Sequence, residues 1–358
     1  MTLSNAPAAS PPGSGAADRQ PPTPLRRVAP AVGLLFLAPL VGEYLLGNVS
    51  IVEIGALPIL ALLYGSGAVL IRELARRTGG GWPTILVLGL AYGLIEAGLI
   101  DQTLFNAPEL AGAAVGATAH VPALGISVSD LLAFVVGHAV WSIAVPIAMV
   151  EALVPSRRTT PWLGRRGLAV TGGLYLLGAA LVFRYMQQDS GGFLAPAPKL
   201  AAVAVLSAGL IGLAFAVGRR PRPPIDGPAP RPWLVAVVAF AASLLFGWRG
   251  EDWSGVAFGV VVAVAMAALV ARWSRRHGWG AAHLLALAGA ALLHQATTGF
   301  VLTQLYGRQG PIHHRAAPAR PAAALTATPG WTTRTACPRR RSSSTSTRRS
   351  PPPESRTR

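Results

Sequence analysis

Apolar residues in this chain gather into long runs near residues 30–47, 51–71, 82–100, 127–150, 168–186, 200–218, 233–248, 255–272 and 281–305. A helix needs roughly 20 apolar residues to cross the hydrocarbon layer. The pattern therefore predicts an all-α fold, a polytopic transmembrane helix bundle of about nine helices, with seven to nine defensible. Local punctuation supports the boundaries. Gly79, Gly80 and Gly81 close one run and Trp82-Pro83 opens the next, proline being tolerated in a first helical turn where its missing N–H is not needed.

The polar segments between the runs divide the chain further. Residues 1–28 are Pro, Ala, Ser and Gly without an apolar core, so they read as a disordered cytoplasmic tail and not as a signal peptide. Residues 29–218 form a six-helix membrane portion, 219–232 (RRPRPPIDGPAPRP) a cytoplasmic linker rich in Arg and Pro, and 233–306 a three-helix membrane portion. Residues 307–358 read as a disordered basic tail, because from Ala316 onward Leu325 and Trp331 are nearly the only large apolar side chains. So sharp a change of composition also fits an out-of-frame end to the gene.

Every second connection carries arginine. Arg26 and Arg27 precede the first run, and Arg72, Arg76 and Arg77 follow the second. Arg157, Arg158, Arg165 and Arg166, then Arg219, Arg220, Arg222 and Arg231, then Arg272, Arg275 and Arg276 mark later alternate connections. The intervening ones are nearly bare, holding Asp101 and Glu109 in one case and Arg249 offset by Glu251 and Asp252 in another. Positive charge near short loops stays cytoplasmic, which places the N-terminus inside and the C-terminus of a nine-span chain outside. The ten arginines from Arg315 onward run against that last assignment.

Composition agrees with the pattern: 358 residues are 52% hydrophobic and 13% charged, about half the charge of a soluble domain. The net charge of +17 does not indicate a nucleic-acid binder, since about half of it lies in the last fifty residues. The expected partner is the lipid bilayer, and no nucleic acid. The single cysteine, Cys337, excludes an intrachain disulfide, and Lys199 is the only lysine. With the Ala, Gly and Pro excess, that arginine bias suggests a GC-rich bacterial genome and a bacterial plasma (inner) membrane.

Ionisable groups inside hydrocarbon cost several kcal/mol unless paired or wetted, so they are the default functional candidates. Glu43 lies near the end of the first run, Glu53 opens the second, Glu96 lies late in the third, and Asp130 opens the fourth. His138 and His294 are near the middle of the fourth and last runs. At a 1.5 Å rise per residue, Glu96 is roughly 21 Å from Trp82, His138 roughly 16 Å from Ser127 and His294 roughly 20 Å from Ala281, so the three can share one layer. Tyr92 and Glu96 are four apart, as are Asp130, Phe134 and His138. His283, His294 and Thr298 fall on one side of the last helix with Gln295 and Thr297 nearby, so that helix is expected to face inward. Arg72-Glu73-Leu74-Ala75-Arg76-Arg77 reads as a solvated helix end with i,i+3 and i,i+4 ion pairs. The Trp residues 82, 162, 233, 248, 253, 273 and 279 read as interfacial anchors, with Trp141 internal.

Glu96 within Leu94-Ile95-Glu96-Ala97-Gly98-Leu99, Phe134-Val135-Val136-Gly137-His138, and the later His294 resemble, in order, the three motifs of the CPBP (CAAX protease and bacteriocin-processing) intramembrane peptidases. That resemblance implies that Glu96 activates water while His138 and His294 position it, stabilise an oxyanion or hold a divalent metal. Ala97 stands at the family's second glutamate, no arginine follows, and Thr298 stands four after His294. No cofactor is otherwise evident. Three function classes remain open at this level. One is an intramembrane glutamate/histidine hydrolase, and a second is a proton-coupled or small-solute carrier built on Glu43, Glu53, Glu96, Asp130 and the histidines. The third is a non-catalytic multi-pass membrane protein packed through small residues. Walker, His-Glu-x-x-His and Ser-His-Asp signatures are lacking, which disfavours ATP-driven and zincin chemistry.

Overall fold

A computed structural model describes residues 24–106, 119–220 and 222–306. The two expected tails lie largely outside the described residues, as do Glu109 and the region after 306. Among the described residues, eight helices are long and apolar enough to cross a membrane: α1 (Arg27–Tyr44), α2 (Ile51–Arg77), α3 (Gly81–Ile100), α4 (Val128–Leu153), α5 (Arg165–Asp189), α6 (Ala197–Gly218), α8 (Trp253–Trp273) and α9 (Ala281–Val301). Between α6 and α8 lies the shorter apolar helix α7 (Pro232–Gly247). Its 16 residues span about 24 Å, less than the roughly 30 Å hydrocarbon thickness. The fold is all-α apart from two short pairings. These are antiparallel β1 (His120–Val121) with β2 (Ile126–Ser127), and parallel β3 (Ile225–Pro228) with β4 (Arg276–His277).

Several helix starts follow from capping chemistry. The Ser127 hydroxyl accepts from the Asp130 amide at 3.2 Å to begin α4, and Asp252 accepts from the Gly255 amide at 2.8 Å to begin α8. At the start of α2, Ser50 and Glu53 form a reciprocal capping box. Glu53 is thereby exposed and engaged with the chain's own backbone.

The arginine-bearing connections meet at one end of the bundle. Arg157 donates to the Arg27 carbonyl at 2.9 Å and Arg275 to the Pro223 carbonyl at 2.8 Å. At the opposite end, the Ala119 amide bonds the Glu251 carbonyl at 2.8 Å and Arg249 donates to the Ser129 carbonyl at 3.0 Å.

The core lies among α1, α2, α3 and α4 around Leu34, Leu63, Ile85, Ile143 and Ile147. The apolar window of α3 is 67% buried, whereas that of α5 is 11% buried, so α3 is an axial helix and α5 faces lipid. Helix α9 does turn inward, burying His283, His294 and Gln295 against α7 and α4, although Thr297 is exposed.

Two expectations are corrected here. Helix α2 does not stop near residue 71 with a solvated arginine cluster. It continues to Arg77, and Arg72 and Glu73 are both fully buried. Trp162 is likewise no interfacial anchor, for it is buried with the Arg72 guanidinium 3.5 Å above its ring. The physical reason is the same in both cases. The α4–α5 connection folds back over the end of α2 and replaces water there.

Candidate functional site

Two buried polar clusters lie along α2 and α4, one at their arginine-rich ends and one near their middles. At the arginine-rich end, Glu151 receives Arg76 through a two-pronged contact at 2.8 and 2.6 Å and Arg72 at 3.0 Å. Arg72 also donates to Glu73 at 2.8 Å and to the carbonyls of Arg157 and Arg158 at 3.1 and 3.0 Å. The second role of Glu73 is to accept the backbone N–H groups of Trp162 and Leu163 at 2.8 and 3.2 Å. Two buried arginines thus face two buried glutamates, with their remaining hydrogen-bonding capacity spent on one loop. Arg77, 3.5 Å from Glu73, borders the group and is partly exposed.

The second cluster lies toward the arginine-poor end. Tyr64 on α2 donates to Glu96 on α3 at 2.8 Å. The other Glu96 oxygen lies 3.1 Å from Nε2 of His138 on α4, an oblique approach that leaves that oxygen without a well-aligned hydrogen bond. His138 Nδ1 is 2.7 Å from the Phe134 carbonyl. A carbonyl can only accept, so Nδ1 carries a proton and any proton on Nε2 faces the carboxylate. Glu43 on α1 is buried, accepts from Asn48 at 3.2 Å and has Tyr64 as a neighbour. Rings enclose the group: Tyr64 stacks on His138 at 5.9 Å, and Tyr92 lies 6.0 Å from His138, 6.1 Å from Tyr64 and 6.3 Å from Tyr175. The Tyr92 hydroxyl is buried without a hydrogen-bond partner.

Small residues explain how the helices come close enough. A methyl group on Gly93 would stand 2.9 Å from His138 Cβ and 3.1 Å from Val135 Cα, and one on Gly89 would stand 3.0 Å from Ala139 Cα. The Gly89 and Gly93 spacing is a small-xxx-small face that lets α3 and α4 meet backbone to backbone. That crossing puts Glu96, one turn beyond Gly93, beside His138.

The backbone is also unusual at each contributor. Glu43 lies in a π-helical turn at Leu40–Tyr44, Tyr64 in one at Ala61–Gly65, Glu96 opens one at Glu96–Ile100 and His138 opens one at His138–Ala144. The wider ladder is direct in the Leu45 amide bonded to the Leu40 carbonyl at 2.9 Å and the Asp101 amide to the Glu96 carbonyl at 3.0 Å. Prolines sit beside three of these turns: Pro39, Pro58 and Pro146. Each removes an N–H from the regular ladder. Single π turns inside helices recur at functional sites.

The remaining candidates are placed elsewhere. His294 is buried against Trp141, with ring centroids 5.5 Å apart, and beside Gly247; its Nδ1 has no partner. Trp141 itself donates to the Ala291 carbonyl at 2.9 Å. Asp130 lies in the first turn of α4 near Arg249, and Thr298 is partly buried on α9. Among the described residues, no three His, Cys, Asp or Glu side chains converge closely enough to hold a metal ion.

The sequence pattern that defines an uncharacterized membrane protein family matches residues 33–325. The chain belongs to that family. No curated protein and no solved structure matches it. In this member of the family, the match runs from within α1 through α9 and takes in both polar clusters. Sequence reasoning reached Glu43, Glu96, His138 and Tyr92, but missed Tyr64 and Glu151. Tyr64 carried a signal in its position beside Gly65 and Gly67; Glu151 carried none beyond being a lone acid near a helix end.

Proposed function

We propose that this integral multi-pass membrane protein is a proton-coupled carrier whose protonatable centre is Glu43, Tyr64, Glu96 and His138. The observation that supports this reading is charge balance. Two buried carboxylates meet one imidazole, so full ionisation leaves an uncompensated negative charge away from water, which is costly. A proton on Glu43, with Tyr64 donating to Glu96, leaves the Glu96–His138 ion pair and no uncompensated charge among these four side chains. A centre that is neutral with one extra proton and charged without it is what coupling to a proton gradient requires. The four contributors come from α1, α2, α3 and α4, so a change of protonation acts on four spans together.

The test is a pH step applied to reconstituted protein on a supported membrane. Proton binding within the membrane produces a transient charge displacement, and Glu96→Gln abolishes it. An unchanged transient in Glu96→Gln, or none in the unmodified protein, sinks the carrier reading. The CPBP-like hydrolase draws on the same Glu96–His138 pair, and cleavage of a transmembrane reporter peptide by the purified protein would favour it instead. It has less support, since the ring contact of His294 is with Trp141. We further place the chain in a bacterial inner membrane with its N-terminus cytoplasmic, on the alternation of arginine-rich connections. Reporter fusions after Gly80 and after Asp189 should report opposite sides.

A further inference from the structure

We propose that the cage formed by Tyr64, Tyr92, Tyr175 and His138 over Glu43 and Glu96 binds a small organic ammonium ion, taken up in place of the extra proton. This rests on the carrier reading and names its substrate class. Three observations converge on it.

The first is charge. Whatever replaces the proton must be a cation, or the carboxylates are left unbalanced in a buried site. The second is the wall. Four rings lie beside the acids in one connected set, with Tyr64, Tyr92 and His138 5.9 to 6.1 Å from one another and Tyr175 6.3 Å from Tyr92. Ring faces attract ammonium groups through their quadrupole and serve as cages for alkylammonium ligands. A divalent metal would ask for several carboxylate or imidazole ligands at once, and no three converge here among the described residues. The third is unspent hydrogen-bonding capacity. Tyr92 is 4% exposed and its hydroxyl lacks a partner, and one oxygen of Glu96, also 4% exposed, meets only the oblique His138 Nε2 at 3.1 Å. Both belong to α3 one turn apart. An N–H group of a primary ammonium entering between the rings donates to both; a fully alkylated ammonium cannot.

The cage as it stands is closed, with the rings touching. Entry needs them to spread, and the side chains that must move, Glu43, Tyr64, Glu96 and His138, each stand on a π-helical turn. A π turn that reverts to α carries the residues beyond it through about one residue of rotation, enough to part neighbouring rings.

The charged and titratable groups facing the cage are Glu43 from α1, Tyr64 from α2, Tyr92 and Glu96 from α3, Asp101 just after α3, His138 from α4 and Tyr175 from α5. Acid therefore competes with the ammonium.

The experiment is equilibrium binding of labelled methylammonium to the purified full chain. Saturable binding is expected near pH 8, weakened about tenfold near pH 5 and about tenfold by Glu96→Gln. Tyr92→Phe keeps the ring and loses a few-fold, whereas Tyr92→Leu loses about tenfold. The ring-preserving variant guards against a folding artefact in the others. Absence of saturable binding at both pH values overturns the proposal. So does equal competition by potassium, or Tyr92→Leu binding as the unmodified protein does. If the pH-step transient persists while methylammonium fails to bind, the ammonium site alone is refuted. If both are absent, the carrier reading falls with it.

Discussion

The two buried polar clusters share α2 and α4 yet are balanced in opposite ways. At the arginine-rich end, Arg72 and Arg76 meet Glu73 and Glu151, and the leftover donors and acceptors are spent on the backbone of residues 157–163. Toward the other end, Glu43 and Glu96 gather about His138, the Tyr92 hydroxyl has no partner and one Glu96 oxygen is met only obliquely by His138 Nε2. Burial is comparable, since Glu73, Glu96 and Glu151 are all nearly inaccessible. What differs is the bookkeeping of charge and hydrogen bonds. A closed network fixes one conformation, whereas an open one responds to whatever proton or cation completes it.

The largest effect should come from opening the closed network. Glu151→Ala leaves Arg72 and Arg76 buried beside a single remaining carboxylate, and breaking such a pair costs about 3–5 kcal/mol. Thermal unfolding in detergent should show a large loss of stability and a loop at 157–163 newly open to protease. Glu96→Gln, the same operation with an isostere in the open cluster, should change stability by no more than about 1 kcal/mol while removing the pH response. Equal destabilisation by the two substitutions would break the contrast, and the second cluster would then be as structural as the first.

A smaller effect tests how the open cluster is assembled. Gly93→Val places methyl groups against Val135 and His138, where even a Cβ meets atoms at 2.9 to 3.1 Å. The helices must separate or bend, at about 1–3 kcal/mol. Separation moves Glu96 away from His138, so the pH-step transient should fall with little change at the arginine-rich end. Gly209→Ala on α6, where an added Cβ meets nothing within 4 Å, is the matched control. A Gly93→Val protein with a full transient means that the α3–α4 crossing does not hold the pair together.

These two clusters also mark what was legible in the sequence. Apolar runs located the eight long helices and the shorter α7 among the described residues, because crossing hydrocarbon requires length and composition that few other elements share. Helical rise put Glu96 and His138 at one depth, and the structure pairs them. The same arithmetic put His294 in that layer, but depth does not say which face of a neighbouring helix is met, and α9 packs His294 on Trp141, three residues after His138 on α4. The π turns were hidden, since an extra residue in a turn changes helical phase without changing hydropathy. Arg72 and Glu73 looked solvated because a sequence shows only their neighbours on α2. Their true surroundings, Glu151 and Trp162, lie about eighty to ninety residues away. Local chemistry was read well where the partner was local, as in the Glu73 and Arg77 pair four residues apart, and poorly wherever it was not.

The smallest effect supplies the control that the pH experiments need. Asp252 caps α8 in solvent, and the Gly255 backbone N–H, together with the Ser254 hydroxyl, holds its carboxyl below the ordinary value of 3.8. A depressed carboxylate contributes stability that is complete above its ordinary value and is lost as pH falls through the lowered one. Protection of the Gly255 amide from exchange, relative to its intrinsic rate, should therefore hold at neutral pH and decline only below about pH 4. Asp252→Asn should flatten that dependence, because an amide oxygen still accepts the N–H but does not titrate. Since the α8 cap titrates well below the range in which the open cluster is probed, Asp252→Asn should leave the pH-step transient at full size. A reduced transient in that variant would trace the signal to surface carboxylates, and the contrast between a closed and an open buried cluster would lose its functional half.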